Sequence, residues 1–326
     1  MPRLAFLFRT DTHVSDRSPA SWKADYPSEI WSNLEQVGRF AKERDVRAVL
    51  DGGDYFHVKA ATRNPHALVA RTAEIHRAYP CPVYCVEGNH DIAYNNLESI
   101  PKQPLGVLYA AKVFEHLREA VFEDGGMRVR VVGVPYSPFR KLDELKAIQK
   151  KPGDDFLIAV VHNLAGADPP PSVEDFFGEP VFRYHDLVTP DGPDVWAFGH
   201  WHKDQGIVEI DGKQFVNQGA LSRGALIREN TERTPKATLL EVTPSGILTV
   251  SLPMVVAPAS DVFDVERKER EEREGKEIDN FVATLRASAE YDPSLSIEAN
   301  VQSLDFARDV RDLALGYLER ARAEVG

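Results

Sequence analysis

Apolar positions along the chain fall into short continuous runs that alternate with longer amphipathic stretches. Residues 3–8 (RLAFLF) read as a short buried strand, and residues 27–44 place Ile30, Leu34, Val37 and Phe40 at helical spacing behind Pro27, which suits a helix's first turn. The alternation repeats: 46–50 (VRAVL) reads as a strand, 64–79 as a helix and 82–86 as a third strand. Alternating β and α elements predict a layered α/β domain. Further apolar runs at 129–134, 156–161 and 195–198 each end where a polar or glycine-rich segment begins. Residues 205–210 and 213–216, joined at Asp211-Gly212, predict a β-hairpin, and 237–242 with 246–252, joined through Pro244-Ser245, predict a second.

The pattern changes after Pro258, which divides the chain into a domain of residues 1–258 and a helical region of residues 259–326. From Asp261 the run DVFDVERKEREEREGKEIDNFVATLRASA is charge-dense and helical in propensity, and residues 300–325 form a second helix whose apolar stripe is Leu304, Val310, Leu313, Ala314 and Leu318. The charge run reads either as a solvated helix face or as a module that caps the core or binds a partner. No internal repeat or low-complexity segment interrupts this plan.

Composition adds a few limits. A chain of 326 residues, 43% hydrophobic and 28% charged, has the make-up of a folded globular protein. No apolar run approaches the roughly 18 residues that span a bilayer, and the start MPRLAFLFRTDTH turns polar at Arg9 and Asp11, so the expectation is a cytoplasmic protein without a signal peptide or membrane segment. Cys81 and Cys85 fall on one face of an extended run and read as reduced core residues; a redox or zinc role for this pair lacks both the C-x-x-C spacing and a second cysteine pair. The net charge of -12 argues against a protein that coats nucleic acid nonspecifically. A polyanionic substrate remains compatible if divalent cations invert the local field.

The chemistry concentrates where the apolar runs end, which is where ligands gather in open α/β sheets. Asp11-Thr12-His13 follows the first run, and its outer residues project to one side if the backbone stays extended. Asp51-Gly52-Gly53-Asp54 follows the second, its glycines allowing a sharp turn that carries the Asp54 carboxylate to an ion. Glu87-Gly88-Asn89-His90-Asp91 follows the third, pairing an amide oxygen with an imidazole and an adjacent carboxylate able to orient it. His162 ends a later run, and His200-Trp201-His202 ends another. With His57, six of the ten histidines fall at such positions. His66, His76, His116 and His185 lie elsewhere and read as ordinary residues.

The series DTH, GGDYFH, GNHD, VVH and GHWH resembles the calcineurin-like metallophosphoesterase superfamily over most of the first 250 residues. The resemblance implies a four-layer α/β/β/α sandwich with a small C-terminal helical appendage. It also implies two divalent ions: one held by Asp11, His13, Asp54 and His202, the other by Asp54, Asn89, His162 and His200, with Asp54 bridging. His90 would then protonate the leaving oxygen or stabilise the transition state, its ring held by Asp91. Mixed carboxylate, amide and imidazole ligands without thiolates suit manganese first, with iron or zinc as alternatives.

Within that superfamily, residues 52–59 (GGDYFHVK) are similar to the second motif of SbcD-type DNA double-strand-break repair nucleases. This similarity implies a metal-dependent exonuclease or endonuclease acting in DNA repair and recombination. His57 becomes a secondary catalytic or DNA-positioning residue, or equally a hydrogen-bonding support for the site. The implied partners are DNA, an SbcC-type coiled-coil ABC ATPase docked on the C-terminal helices, and a second copy of the chain. Two departures bear on substrate handling: the segment after the core is short for the family's cap, and VNQGALSRG replaces the PGS-containing stretch after the last histidine motif. A small-molecule phosphatase or nucleotide phosphodiesterase is the alternative enzyme. A catalytically inactive binding scaffold is a third possibility, opposed by the intact ligand series.

Overall fold

A computed structural model of the chain describes residues 1–267, 270, 273, 295–303 and 315–316. In chain order the first domain runs β1 (Leu4–Arg9), α1 (Tyr26–Glu43), β2 (Ala48–Asp51), α2 (His66–Arg77), β3 (Val83–Cys85), α3 (Pro104–Ala110), β4 (Phe114–His116), β5 (Glu119–Asp124) and β6 (Met127–Val134). It continues through α4 (Leu142–Lys146), β7 (Phe156–His162), β8 (Ala165–Gly166), α5 (Pro171–Phe177), β9 (Phe182–Arg183), α6 (Tyr184–Leu187) and β10 (Val195–Gly199). It ends with β11 (Asp204–Ile210), β12 (Lys213–Gln218), α7 (Arg228–Glu232), β13 (Lys236–Thr243), β14 (Gly246–Pro253) and α8 (Ala259–Val262).

Two six-stranded sheets result, one ordered β14-β13-β1-β2-β3-β4 and the other β11-β12-β10-β7-β6-β5. Strands β1 to β4 run parallel, as do β6, β7, β10 and β12, so their carboxyl ends deliver loops to one edge of each sheet. The apolar runs are continuous because both faces of these strands are covered. In β1, Leu4, Phe6 and Phe8 enter the layer between the sheets, whereas Ala5 and Leu7 face the helical layer built on Ile30, Leu34, Val37 and Ala41 of α1. In β10, Val195 and Ala197 enter the same central layer, whereas Trp196 and Phe198 pack against Leu145, Tyr184 and Leu187. The architecture is thus the expected four-layer α/β/β/α sandwich.

Both hairpins form. Asp211 (φ 48°) and Gly212 (φ 73°) supply the two positive φ values that a tight hairpin turn between β11 and β12 requires. Strands β4 and β5 were not expected: β4 has only three residues, and β5 (EAVFED) is an edge strand whose charged, largely exposed positions mask its alternation.

The first compact unit extends past the expected boundary at Pro258 through Phe263, because Phe263 is buried against Trp22, with ring centroids 5.2 Å apart. The second unit comprises residues 264–326; within it the helix Ile297–Ser303 is described, and most of the two expected C-terminal helices lies outside the described residues. Cys85 is buried, but Cys81 is only half-buried because it precedes β3 rather than lying in it; both are free thiols. Among the described residues no helix is long and apolar enough to cross a membrane.

Candidate metal centre

Each motif sits at the carboxyl end of a parallel strand: Asp11 and His13 after β1, Asp54 after β2, Asn89 and His90 after β3, His162 as the last residue of β7, and His200 and His202 after β10. The backbone gets there by an unexpected route. Asp11 (φ 52°), His13 (φ 49°), Asp54 (φ 51°) and His200 (φ 87°) are all left-handed, so Asp11 and His13 converge through turns rather than along an extended segment. Such conformations cost a non-glycine residue of order 1–3 kcal/mol each and persist where surrounding contacts over-determine them. Here Asp11 N–H donates to the Gly53 carbonyl at 3.0 Å and His13 N–H to the Asp54 carbonyl at 3.0 Å, locking the two loops together. Beneath them, fully buried Arg9 pairs with Asp51 at 2.8 Å, and Asp51 accepts the Gly53 N–H at 3.0 Å. Arg9 also meets His76 Nε2 at 2.9 Å, which gives that histidine a structural partner.

Two clusters able to hold a metal ion form. The ligand atoms of Asp11, His13, Asp54 and His202 lie within 4.8 Å of one another, and those of Asp54, His162 and His200 do likewise, with Asp54 common to both. His13 Nε2 lies 2.9 Å from His202 Nε2, His202 Nε2 is 3.4 Å from Asp11 Oδ1, and His162 Nε2 is 3.5 Å from Asp54 Oδ1. Lone pairs brought this close suit atoms that share a cation at about 2.0–2.2 Å.

Asn89 sharpens this test. With its nitrogen inward it donates to Asp54 Oδ2 at 3.0 Å and to His200 Nδ1 at 3.0 Å while its oxygen accepts from Lys59 Nζ at 3.1 Å. With its oxygen inward, 3.4 Å from His162 Nε2, it adds one more acceptor to a ring of acceptors, an arrangement that a cation satisfies. The donor set therefore fits two divalent ions.

The electrostatics agree. Burial opposes ionisation of Asp11, but the hydrogen bond and charge of His202 outweigh it and hold the carboxyl down to about 2. Burial likewise opposes the Asp54 carboxylate, and the His162 charge prevails and holds it well below the usual range. Burial disfavours a charged His162, yet the Asp54 carboxylate pushes it up to about 9. The centre thus draws positive charge to itself, a role that divalent ions held by these residues would take over. Burial pushes His13 well below the imidazole range, and it also lowers His57 and His90.

The expected contact between Asp91 and the His90 ring is not made. The Asp91 carboxylate turns away and accepts the backbone N–H groups of Tyr55 at 3.1 Å, Phe56 at 3.3 Å and Gly88 at 3.0 Å, tying the second and third motifs together. His90 is held instead by the His57 carbonyl, 2.5 Å from its Nδ1, and its backbone N–H donates to Asp54 Oδ1 at 2.7 Å. The His57 ring stacks on the His90 ring at 5.7 Å, and His13, His57 and His90 present ligand atoms within 4.8 Å of one another.

Sequence reasoning missed the walls of the cleft. A cavity of about 510 Å³ opens over Asp54, Asn89, His90, His200 and His202, flanked by Tyr136, Phe177, Trp201 and Ile227. It also missed Glu179, buried beside His200 with Oε1 2.7 Å from Nε2. Apart from Trp201, which lies inside the GHWH motif, no local motif marks these residues, since they come from segments far apart in the chain.

A four-layer sandwich with a shared-carboxylate double ligand set at its strand ends defines a metal-dependent phosphoesterase. The chain belongs to the calcineurin-like phosphoesterase family, whose profile matches residues 4–204. No curated protein sequence matches it. Among solved structures it is similar to the Thermus thermophilus sulfate thiohydrolase SoxB in complex with glycerol, at 14% identity and a TM-score of 0.44 over 79% of this chain and 58% of that one. It is also similar to a novel archaeal phosphodiesterase, at 12% identity and a TM-score of 0.35 over 76% of this chain and all of that one, 100%.

Proposed function

We propose that this phosphoesterase is a nuclease that hydrolyses DNA phosphodiesters, with manganese as its working metal. The observation that carries the reading is the stacked pair His57 and His90 beside the ligand cluster, which sets a second imidazole next to the candidate acid. When bound, the ions supply Lewis acidity and a strong nucleophile from water at neutral pH. Asp11, His13, Asp54 and His202 would hold one ion, and Asp54, Asn89, His162 and His200 the other. His90, its Nδ1 engaged by the His57 carbonyl, keeps Nε2 to deliver a proton to the leaving oxygen. His57 contacts the diester beside it. Phe177, Trp201 and Tyr136 offer ring faces against which an unstacked base can lie.

Degradation of single- and double-stranded DNA with added manganese is the test, run beside hydrolysis of bis(p-nitrophenyl) phosphate. Strong activity on the small diester with none on DNA would overturn the nuclease reading. It would favour a nucleotide phosphodiesterase or small-molecule phosphatase, a second reading supported by the cleft volume of about 510 Å³, which falls in the roughly 300–1,000 Å³ range of small-ligand sites.

The ATPase partner belongs to the same proposal and rests on the sequence of the C-terminal region alone. Removing residues 264–326 should abolish co-purification with a co-expressed SbcC-type ATPase while sparing hydrolysis of the small diester. Retained association would refute it.

A further inference from the structure

Every imidazole around the second ligand set is oriented through the nitrogen that faces away from the centre. His162 Nδ1 lies 2.5 Å from the Gly52 carbonyl, and His90 Nδ1 lies 2.5 Å from the His57 carbonyl. In both cases a backbone group does the work. His200 differs: its Nδ1 edge faces Asn89 and the ligand set, and its outer Nε2 meets the side chain of Glu179 at 2.7 Å.

Glu179 is built into the fold at some cost. It is only 6% exposed, and besides His200 its carboxylate faces the Tyr136 hydroxyl, whose ionisation is opposed by burial and then by the charge and hydrogen bonding of Glu179. A buried carboxylate is unfavourable unless it is paired, and among the described residues the only ion-pair partner of Glu179 is His200. The segment before it explains how it gets there. Helix α5 buries none of its residues, Gly178 at φ 68° ends it in the left-handed conformation, and the chain then turns Glu179 inward. The same turn leaves Phe177 on the wall of the cleft, 5.8 Å from the His200 ring.

We propose that Glu179 is a positioning residue for the second metal site: by accepting the Nε2–H of His200 it fixes the tautomer that presents Nδ1 to the ion and sets the ring plane. A carboxylate on the outer nitrogen of a metal-binding imidazole also raises the basicity of the inner one. Because the carboxylate sits on the edge opposite the ligand set, Glu179 acts through His200 and does not ligate. The assignment holds whether the substrate is DNA or a small ester, since it concerns metal binding and not the group cleaved.

The test is calorimetric titration of manganese into the metal-stripped full chain, comparing wild type with Glu179→Ala and Glu179→Gln. In Glu179→Ala one site should keep its affinity while the other weakens by about 10- to 100-fold. Glu179→Gln retains an acceptor oxygen and should recover most of the loss. Two wild-type affinities in Glu179→Ala would overturn the proposal, as would equal weakening at both sites or a Gln variant as deficient as Ala. If Glu179→Ala does not fold, the Gln titration and the ¹⁵N NMR signature of His200 in wild type decide. A His200 ring protonated on Nε2 supports the proposal, and one protonated on Nδ1 refutes it.

Discussion

Gly88→Ala tests the shared role of Asp54 more directly than removing the carboxylate itself. A methyl at Gly88 would stand 2.1 Å from Asp54 Oδ1 and 2.4 Å from the Asp54 backbone nitrogen. Carbon contacts settle at about 3.5–4.0 Å, so more than an ångström of movement is forced, and the backbone nitrogen has no rotamer with which to escape. Overpacking of this kind costs roughly 1–3 kcal/mol. If that cost falls on the ligand-ready position of Asp54, it becomes a loss of about five- to a hundredfold in metal affinity, at 1.4 kcal/mol per tenfold. Because Asp54 belongs to both ligand sets, both sites should weaken together, in contrast to the single-site loss expected of Glu179→Ala. Manganese titration of the metal-stripped protein reads the affinities, and a thermal melt of the same sample checks folding. Gly224→Ala is the control, since its methyl meets nothing nearer than Tyr26 Oη at 3.6 Å. Wild-type affinity at both sites in a folded Gly88→Ala protein would refute the shared-carboxylate reading.

Other substitutions separate the remaining roles. His90→Ala should lower kcat for a diester with a poor leaving group by about 10²- to 10⁴-fold, with a much smaller loss for a nitrophenyl ester, whose leaving oxygen needs no proton. Loss of a bound ion in that variant would instead make His90 a ligand, alongside His13 and His57. Asp91→Asn halves the acceptor capacity facing the Tyr55, Phe56 and Gly88 N–H groups and should cost about 1–3 kcal/mol of stability. An unchanged melting curve with lost activity would return Asp91 to the role of holding His90. Far from the cleft, burial raises the Asp154 carboxyl, but hydrogen bonds from Arg130 and the Lys151 backbone outweigh it and hold it below its ordinary 3.8. A depressed carboxyl stabilises the fold above its unfolded value and loses that contribution as pH falls through the folded one. Urea midpoints should therefore fall less between pH 5 and about pH 3 in Asp154→Asn than in wild type; parallel curves would show that the pair contributes nothing measurable.

Much of the candidate centre was legible because the residues that could hold ions occupy fixed places in a local pattern. An apolar run that ends in Asp-x-His, Gly-Gly-Asp or Asn-His announces a strand and the loop at its carboxyl end, and parallel strands bring those loops to one edge. The tight Asp211-Gly212 turn was legible for the same local reason. Strand β5 was not, because its identity depends on pairing with β6 and its own residues are mostly polar.

The sequence by itself determined which apolar runs become the parallel strands and the order in which the Asp, Asn and His motifs follow them along the chain. These depend on residue type and on periods of two and 3.6, which act over a few positions. Only the tertiary structure decided how those side chains are aimed. The left-handed backbone at Asp11 and His13 comes from hydrogen bonds to a loop some 40 residues later in the chain. The turn of Asp91 onto backbone N–H groups, and of His90 onto the His57 carbonyl, reflects which donors and acceptors packing leaves nearby. Glu179 reaches His200 across 21 residues and two strands. Orientation of this kind is a property of contacts between distant segments, and no local period encodes it.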